Sequence, residues 1–450
     1  MLKVSDNVKT AYTKETANKH IVISFPEIGT NGLTLQHGQI RSETMQLTES
    51  ILDQDELEFI GCISSQFKIT IDAIPKKLKG KKIDVSIYTD DTKKEPVKLF
   101  TGIVESDERT GNKRSKQIIA YDALYTLDET DVTEWFITEA AAINTGAVVT
   151  IEKFRNALFE HIGIEQVKRT LANDSFVIKK LIDTEDEEDT EEIEKVYALD
   201  LIKAICQING VFGIINRAGK FDYRRIGIAE EDDGAYPGVD EDGGLYLPFV
   251  PGKGSIDVMT EATFFASYKS VAYEDYDVKG ITRVYVRQDE NDEAGYSGDS
   301  KKHKYIVQGN RFTMETTKEQ KRNIATSILS TVIGATYTPF TAQCTGLPYL
   351  EAGDPVSFYV YDFEESEKQG KDVYALKSFY VLSRTMKGLQ SLTDTLSARG
   401  EESQRRYVSD LGSNDKSTSS GGLRVESVNE LPENPDSNTI YLIQGEVTVT

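Results

Sequence analysis

The stretch CTGLPYLEAGDPVSFYV, residues 344–360, sets a proline-bracketed acidic loop directly ahead of an alternating apolar run. Glu351–Ala352–Gly353–Asp354 has three readings: an active-site loop, a metal loop, or a corner in a β-structure. Gly353 permits a sharp backbone turn, and Asp354 is a turn-former. Pro355 drives the residue before it towards extended geometry as the strand begins. Pro348 stiffens the entry. Every feature has a backbone explanation, and no base or nucleophile accompanies Asp354 in the sequence. The stretch reads as a corner.

The surrounding chain supports a β reading. HIVISF (20–25), FKITI (67–71), KIDVSIYT (82–89), VKLFTGIVES (97–106) and KQIIAYDAL (116–124) are rich in β-branched and aromatic residues. Several alternate apolar with polar positions, as strands with one buried face do. DERTGNKRS (107–115) reads as a hairpin connection. Short strands at this spacing point to an antiparallel barrel or sandwich.

From about residue 140 the period becomes helical. Ile151, Phe154, Leu158 and Phe159 make one stripe closed by Gly163. Leu199, Ile202, Ile205 and Ile208 make another, closed by Asn209–Gly210. VFGIINRAGKFDYRRI then predicts a hairpin turning at Ala218–Gly219. Strands return in FFASYKSVAY (264–273) and ITRVYVRQ (281–288). A helix follows over 316–334, with Thr316 and Glu319 spaced for a capping box, Gly334 at its end, and Ile324, Ile328 and Val332 as its stripe. More strands follow in YTPFTAQCTG, DPVSFYV, VYALKSFYVLSRTMKG and LQSLTDTLSARG.

These shifts divide the chain into a β-rich segment 1–135, an α+β segment 136–250 with acidic loops, and a second β-rich segment 251–410. LGSNDKSTSSGG (411–422) has a linker's composition, and 423–450 form a C-terminal β extension. The fold class is mainly β with α+β.

Composition excludes several functions. The 450 residues carry 74 acidic and 52 basic side chains, a formal charge of −22, so the basic footprint of a nucleic-acid binder is absent. No apolar run approaches the roughly 20 residues of a membrane span, and the start lacks a signal-peptide core. Cys62, Cys206 and Cys344 lie far apart, which fits buried thiols in a reducing compartment. His20, His37, His161 and His303 occupy separate segments, and no HExxH, GxSxG, P-loop or GxGxxG pattern occurs.

The acidic blocks 183–194 and 230–244 read as solvated loops. DENDEAG (289–295) puts Ala294 where an EF-hand needs glycine. The cluster KKLKGKK (76–82) reads as a solvated edge or a protein-contact patch. Trp135, the single tryptophan, reads as core or interface. No catalytic, cofactor-binding or metal-binding residue is assigned, and no cofactor is expected.

A resemblance adds to this reading. YTPFTAQCTGLPYLEAGDPVSFYV after a helix ending ILSTVIGA resembles the second half of hub proteins at the tail tips of bacterial viruses. The shared pattern is a helix, a Tyr-x-Pro-Phe strand, Gly-x-Pro, then Glu-x-Gly-Asp before a strand. IRSETMQLTESILDQDELEFIGCISSQFKITI resembles the start of such hubs in phages of Firmicutes. ALDLIKAICQINGVFGIINRAGKFDYR is similar to their intermediate domain, and LPENPDSNTIYLI to an element recurring in tail and fibre proteins.

The resemblance implies two tube-like β-barrels, in 1–135 and 251–410, flanking the α+β domain and assembled as a homotrimer. Two barrels in each of three copies match a hexameric tail tube. It implies a non-enzymatic structural hub in the virion tail tip, assembled in the bacterial cytoplasm and lining part of the genome exit channel. The implied partners are the distal tail or tail tube protein, the tape measure protein, and a receptor-binding or tail-fibre protein. The rival readings are a tail-associated cell-wall hydrolase and a carbohydrate-binding β-protein. Against the first, nothing after residue 410 is long enough for the lysin domain that many relatives carry.

Overall fold

The structure, a computed structural model, describes residues 2–14, 16–52, 61–111, 114–182, 195–226, 262–266, 268–278, 281–298, 303–332 and 337–400. It also gives the backbone of short strands at 238–239, 245–246, 406–410, 424–428 and 439–443. Helix α1 (Asp6–Thr13), capped by the Ser5 hydroxyl, precedes strands β1 (Lys19–Phe25), β2 (Leu33–Thr34), β3 (Ile40–Ser50), β4 (Gln66–Asp72), β5 (Lys82–Thr89), β6 (Val97–Arg109) and β7 (Ser115–Tyr121).

The middle holds the helical turn α2 (Leu124–Leu127), helices α3 (Thr133–Asn144), α4 (Ile151–His161) and α5 (Ala198–Asn209), and the hairpin β8 (Phe212–Ile215) and β9 (Phe221–Arg224). The two-residue strands β10 (Gly238–Val239) and β11 (Leu245–Tyr246) pair with each other. Then come β12 (Thr263–Phe264), β13 (Tyr268–Tyr273), β14 (Arg283–Arg287), β15 (Gly295–Ser297), β16 (Lys304–Gln308), α6 (Lys318–Val332), β17 (Phe340–Thr345) and β18 (Pro355–Tyr361). The series continues through α7 (Phe363–Gln369), β19 (Tyr374–Tyr380), β20 (Ser383–Lys387), β21 (Thr393–Ala398) and β22 (Arg406–Asp410). Residues 1–412 make one compact unit. Residues 413–450 make another, in which β23 (Arg424–Val428) and β24 (Thr439–Ile443) run parallel.

Strands expected in two separate barrels meet in one sheet, while β12-β18-β19 and β15-β14-β16-β22, also from the second β-rich segment, form two smaller sheets. Eleven strands run in the order β13-β17-β21-β20-β3-β4-β7-β6-β5-β1-β2, antiparallel throughout. Among the described residues this sheet does not close on itself. The seam between its halves is β3 against β20, with Ser383 opposite Ser50 and Lys387 opposite Gln46. Alternation fixes the register: Phe67, Ile69 and Ile71 of β4 and Ile83, Val85 and Ile87 of β5 all point inward and are fully buried.

Other elements differ from the sequence reading. β3 escapes a pattern search because an irregular register between Arg41 and Gln46 interrupts its alternation. FFASYKSVAY is two strands, β12 and β13, in different sheets. VYALKSFYVLSRTMKG is also two, β19 and β20, which part at the buried pair Val381–Leu382. Leu124 starts a helical turn rather than ending a strand. α6 begins later than expected. Its capping box joins Thr317 to Gln320, each side chain accepting from the other's backbone N–H, at 3.2 and 2.9 Å. Thr316 instead donates its hydroxyl to Thr313 O. Gly334 lies outside the described residues, as do 183–194, most of 230–244, the 411–422 linker, and Val447 and Val449 of the C-terminal extension.

Candidate functional site

The corner at 351–354 is a corner, and it is also one wall of a buried ionic cluster. Gly353 has φ 94°, a left-handed conformation that a side chain would strain. Its N–H donates to Val381 O at 2.6 Å, and Val381 N–H returns to Asp354 O at 3.0 Å. The Asp354 carboxylate accepts from Glu351 N–H at 2.7 Å, so the aspartate builds the turn with its side chain as well as its backbone.

Charges from three parts of the chain converge beside this turn. On the seam, Arg384 of β20 stands directly opposite Glu49 of β3, Nη1 to Oε2 3.4 Å. Arg384 is fully buried and clasps Asp394 of β21 with two bonds, at 3.0 and 2.8 Å. It also donates to the carbonyls of Leu347 and Leu350. Arg217, at the tip of the β8–β9 hairpin, donates to Glu49 at 2.9 Å and to the Leu99 and Leu350 carbonyls. Arg224 of β9 donates to Glu351 at 2.7 Å. Glu49 thus bridges arginines from the middle segment and the C-terminal half, while Glu351 ties β9 to the corner.

Their titration follows from burial and charge. Burial raises the Glu49 carboxyl, and Arg217 and Arg384 only partly counter it. Burial would raise Glu351 as well, but Arg224 and Arg217 overcome it and hold that carboxyl below its ordinary value. Burial and the nearby Glu351 charge push Asp354 up. Burial opposes the charge on Arg384, and Asp394 and Glu49 more than compensate. Such a set of fixed, mutually engaged charges is suited to holding segments in register. It offers no base poised beside a nucleophile.

A signal for this cluster was present in the sequence. Met45, Leu47 and Glu49 share the inward parity of β3, which the buried Ile51 continues just past its end. Arg384 shares parity with Met386, and Asp394 with Leu396 and Ala398. A charge on the buried parity of a strand requires a partner.

The other candidates resolve individually. His20 and His37 come together, ring centroids 5.9 Å apart, with His20 Nε2 2.6 Å from Asp90. Among the described residues no group of three or more His, Cys, Asp or Glu side chains is arranged to hold a metal. Cys62 and Cys206, 144 positions apart, bring their sulfurs to 3.7 Å in the core, both as free thiols. In DENDEAG, Asp292 binds Lys321 and accepts from Gln288 N–H, and Asp289 accepts from the backbone of Asn291 and Asp292. Trp135 is half-buried on α3, stacked on His161 and tilted against Phe154. In a groove beside α4, Arg155 grips Asp174 and Arg169 grips Asp222, each through two bonds of 2.9–3.0 Å. Among the described residues no helix is long and apolar enough to cross a membrane.

No protein-family model matches the chain, and no curated protein does. Solved structures do resemble it. The 43 kDa tail protein of prophage MuSo2 from Shewanella oneidensis matches 84% of this chain and 98% of its own, at 12% identity and a TM-score of 0.44. A tail protein from Neisseria meningitidis MC58 matches 84% and 96%, at 13% identity and 0.42. The E. coli c3393 protein is a type VI secretion component described as structurally similar to the T4 bacteriophage tail proteins gp27 and gp5. It matches 83% and 77%, at 9% identity and 0.35.

Proposed function

We propose that this chain is a structural hub of a bacteriophage tail tip. In this reading it joins the tail tube to receptor-binding or spike components, and as a homotrimer it surrounds part of the genome exit channel. Its partners are the distal tail or tube protein, the tape measure protein and a receptor-binding protein. The reading is supported by the ordered sequence resemblance across most of the chain. The observation that carries it is the seam. Two strand sets from opposite ends of the chain lie side by side in one antiparallel sheet, locked at β3–β20 by buried charges. Three copies would supply six such sets, the number a hexameric tube presents. The role proposed is non-enzymatic, in the virion, after assembly in the host cytoplasm.

Light scattering over a concentration series tests the assembly, with a trimer mass expected at the upper end. A stable dimer as the largest species would sink the hub reading. Incubation with purified peptidoglycan should release no fragments; release would favour the hydrolase.

A further inference from the structure

Five large apolar side chains stand in solvent on or beside one face of the three-stranded sheet β12-β18-β19. They are Phe363 (78% exposed), Tyr374 (57%), Leu376 (56%), Tyr359 (50%) and Phe264 (46%). Register puts them together. Tyr359 is directly opposite Leu376, Tyr361 is opposite Tyr374, and Phe264 is level with Ser357, two residues before Tyr359. The rings touch, Phe264 to Tyr359 at 5.3 Å and Tyr361 to Phe363 at 4.8 Å. The opposite face of the same strands is spent on the core through Val356, Phe358 and Phe379. A contiguous exposed aromatic stripe of this kind marks a protein-contact surface. Its border is acidic: between Asp362 and Asp372 stand five carboxylates and two lysines, on α7 and the loop after it.

A surface of opposite sign lies on the other half of the chain. The loop 75–82 carries five lysines around the buried Leu78 and is laid along β6. Gly80 N–H donates to Val104 O, and Val104 N–H to Lys81 O. Beside it Ile103, opposite Lys82, is 39% exposed. Ile103 thus stands beside a lysine-rich loop, with Lys79 also reaching Glu105 at 3.3 Å, and this mainly positive border complements the acidic border of the aromatic face.

We propose that the aromatic face of β18–β19, with α7, docks on the lysine loop 75–82 and Ile103 of a second copy of this chain. The inference rests on the assembly reading above and names its contact. Because the two surfaces differ, the contact is heterologous, and three copies close a ring on it when each step turns the chain by a third of a revolution. Charge at its border steers the partners together and makes the contact weaken with salt.

The test uses the full chain. Isotopically heavy and light protein are mixed at high concentration, coupled with a zero-length carbodiimide, and mapped as peptides. Heavy-to-light links between 362–372 and 76–82 are expected. Lys77→Glu with Lys79→Glu should remove them and weaken self-association at least tenfold. Adding Glu364→Lys and Glu367→Lys to that variant should restore both. Phe363→Ser should weaken association with its unfolding transition unchanged. Self-association that ignores these variants, or links that map elsewhere between copies, overturns this contact and leaves the assembly reading standing. Links from 362–372 confined to one copy mean that the chain covers this face itself, and the proposal falls. A chain monomeric at every concentration overturns both.

Discussion

Arg384 is the residue on which the seam depends most. Its guanidinium answers Asp394 and Glu49 at once and closes the carbonyls of Leu347 and Leu350. Arg384→Met keeps an unbranched apolar stem but leaves Asp394 without its arginine, and Glu49 with Arg217 alone, so a loss on the order of 3–5 kcal/mol is expected in urea unfolding. Glu49→Gln should cost less, because burial already raises that carboxyl and Arg384 keeps Asp394. Equal losses would mean that the cluster is not wired this way. A second buried acid gives a pH signature. Asp122 is 2% exposed and accepts from Ser64 Oγ and from Ser65 and Leu124 N–H, at 2.8–3.0 Å. Burial raises its carboxyl to about 6. The folded chain therefore keeps a proton that the unfolded chain releases near pH 4, and stability from this group falls as pH rises from about 4 to about 6. Two pK units correspond to about 3 kcal/mol. Unfolding of wild type and Asp122→Asn at pH 4, 5, 6 and 7 checks it: the wild type's advantage should shrink through that window, and a constant gap would refute the shift.

At the scale of elements, legibility followed local pattern. β4, β5 and β7 were readable because one face is apolar and the alternation is unbroken. α4 and α5 were readable from their stripes and closing glycines. β3 was not, because its register irregularity and polar outer face hide the strand that joins the halves. α3 was not, because Val132 provides no side-chain cap and Trp135, Phe136 and Ile137 mimic a strand. Which sheet a strand joins is a long-range fact, so β19 and β20 read as one run. The corner at 351–354 was legible as backbone. Its partners were not, since Arg217 and Glu49 lie more than a hundred positions away in sequence. The start of α6 tests how local such signals are. Thr317→Ala removes the hydroxyl that accepts from Gln320 N–H and should cost about 1 kcal/mol in thermal or urea unfolding. Gln320→Ala removes the reciprocal bond and should cost a fraction of that. If Glu319→Ala is the more damaging change, the helix starts where the sequence pattern placed it.

At the scale of the molecule, the end of the compact unit can be located by cutting. β22 adds to β16 in parallel, Lys304 opposite Arg406 through Gln308 opposite Asp410, and β16 in turn pairs β14, whose Val284 and Val286 are fully buried. The 1–412 unit therefore includes a strand contributed just before the Gly/Ser-rich stretch. A chain ending at residue 412 keeps that ladder and should melt within a degree or two of the full chain, since β23 and β24 belong to the other unit and two short strands bury little area. A chain ending at residue 404 loses β22. It leaves the outer edge of β16 unpaired and exposes the backbone groups that β22 had satisfied. It should melt several degrees lower and aggregate more readily through that edge. Differential scanning calorimetry of the three chains decides the matter. Equal melting for 404 and 412 would mean that β22 is a dispensable flap. A fall already at 412 would mean that residues 413–450 stabilise the unit before them.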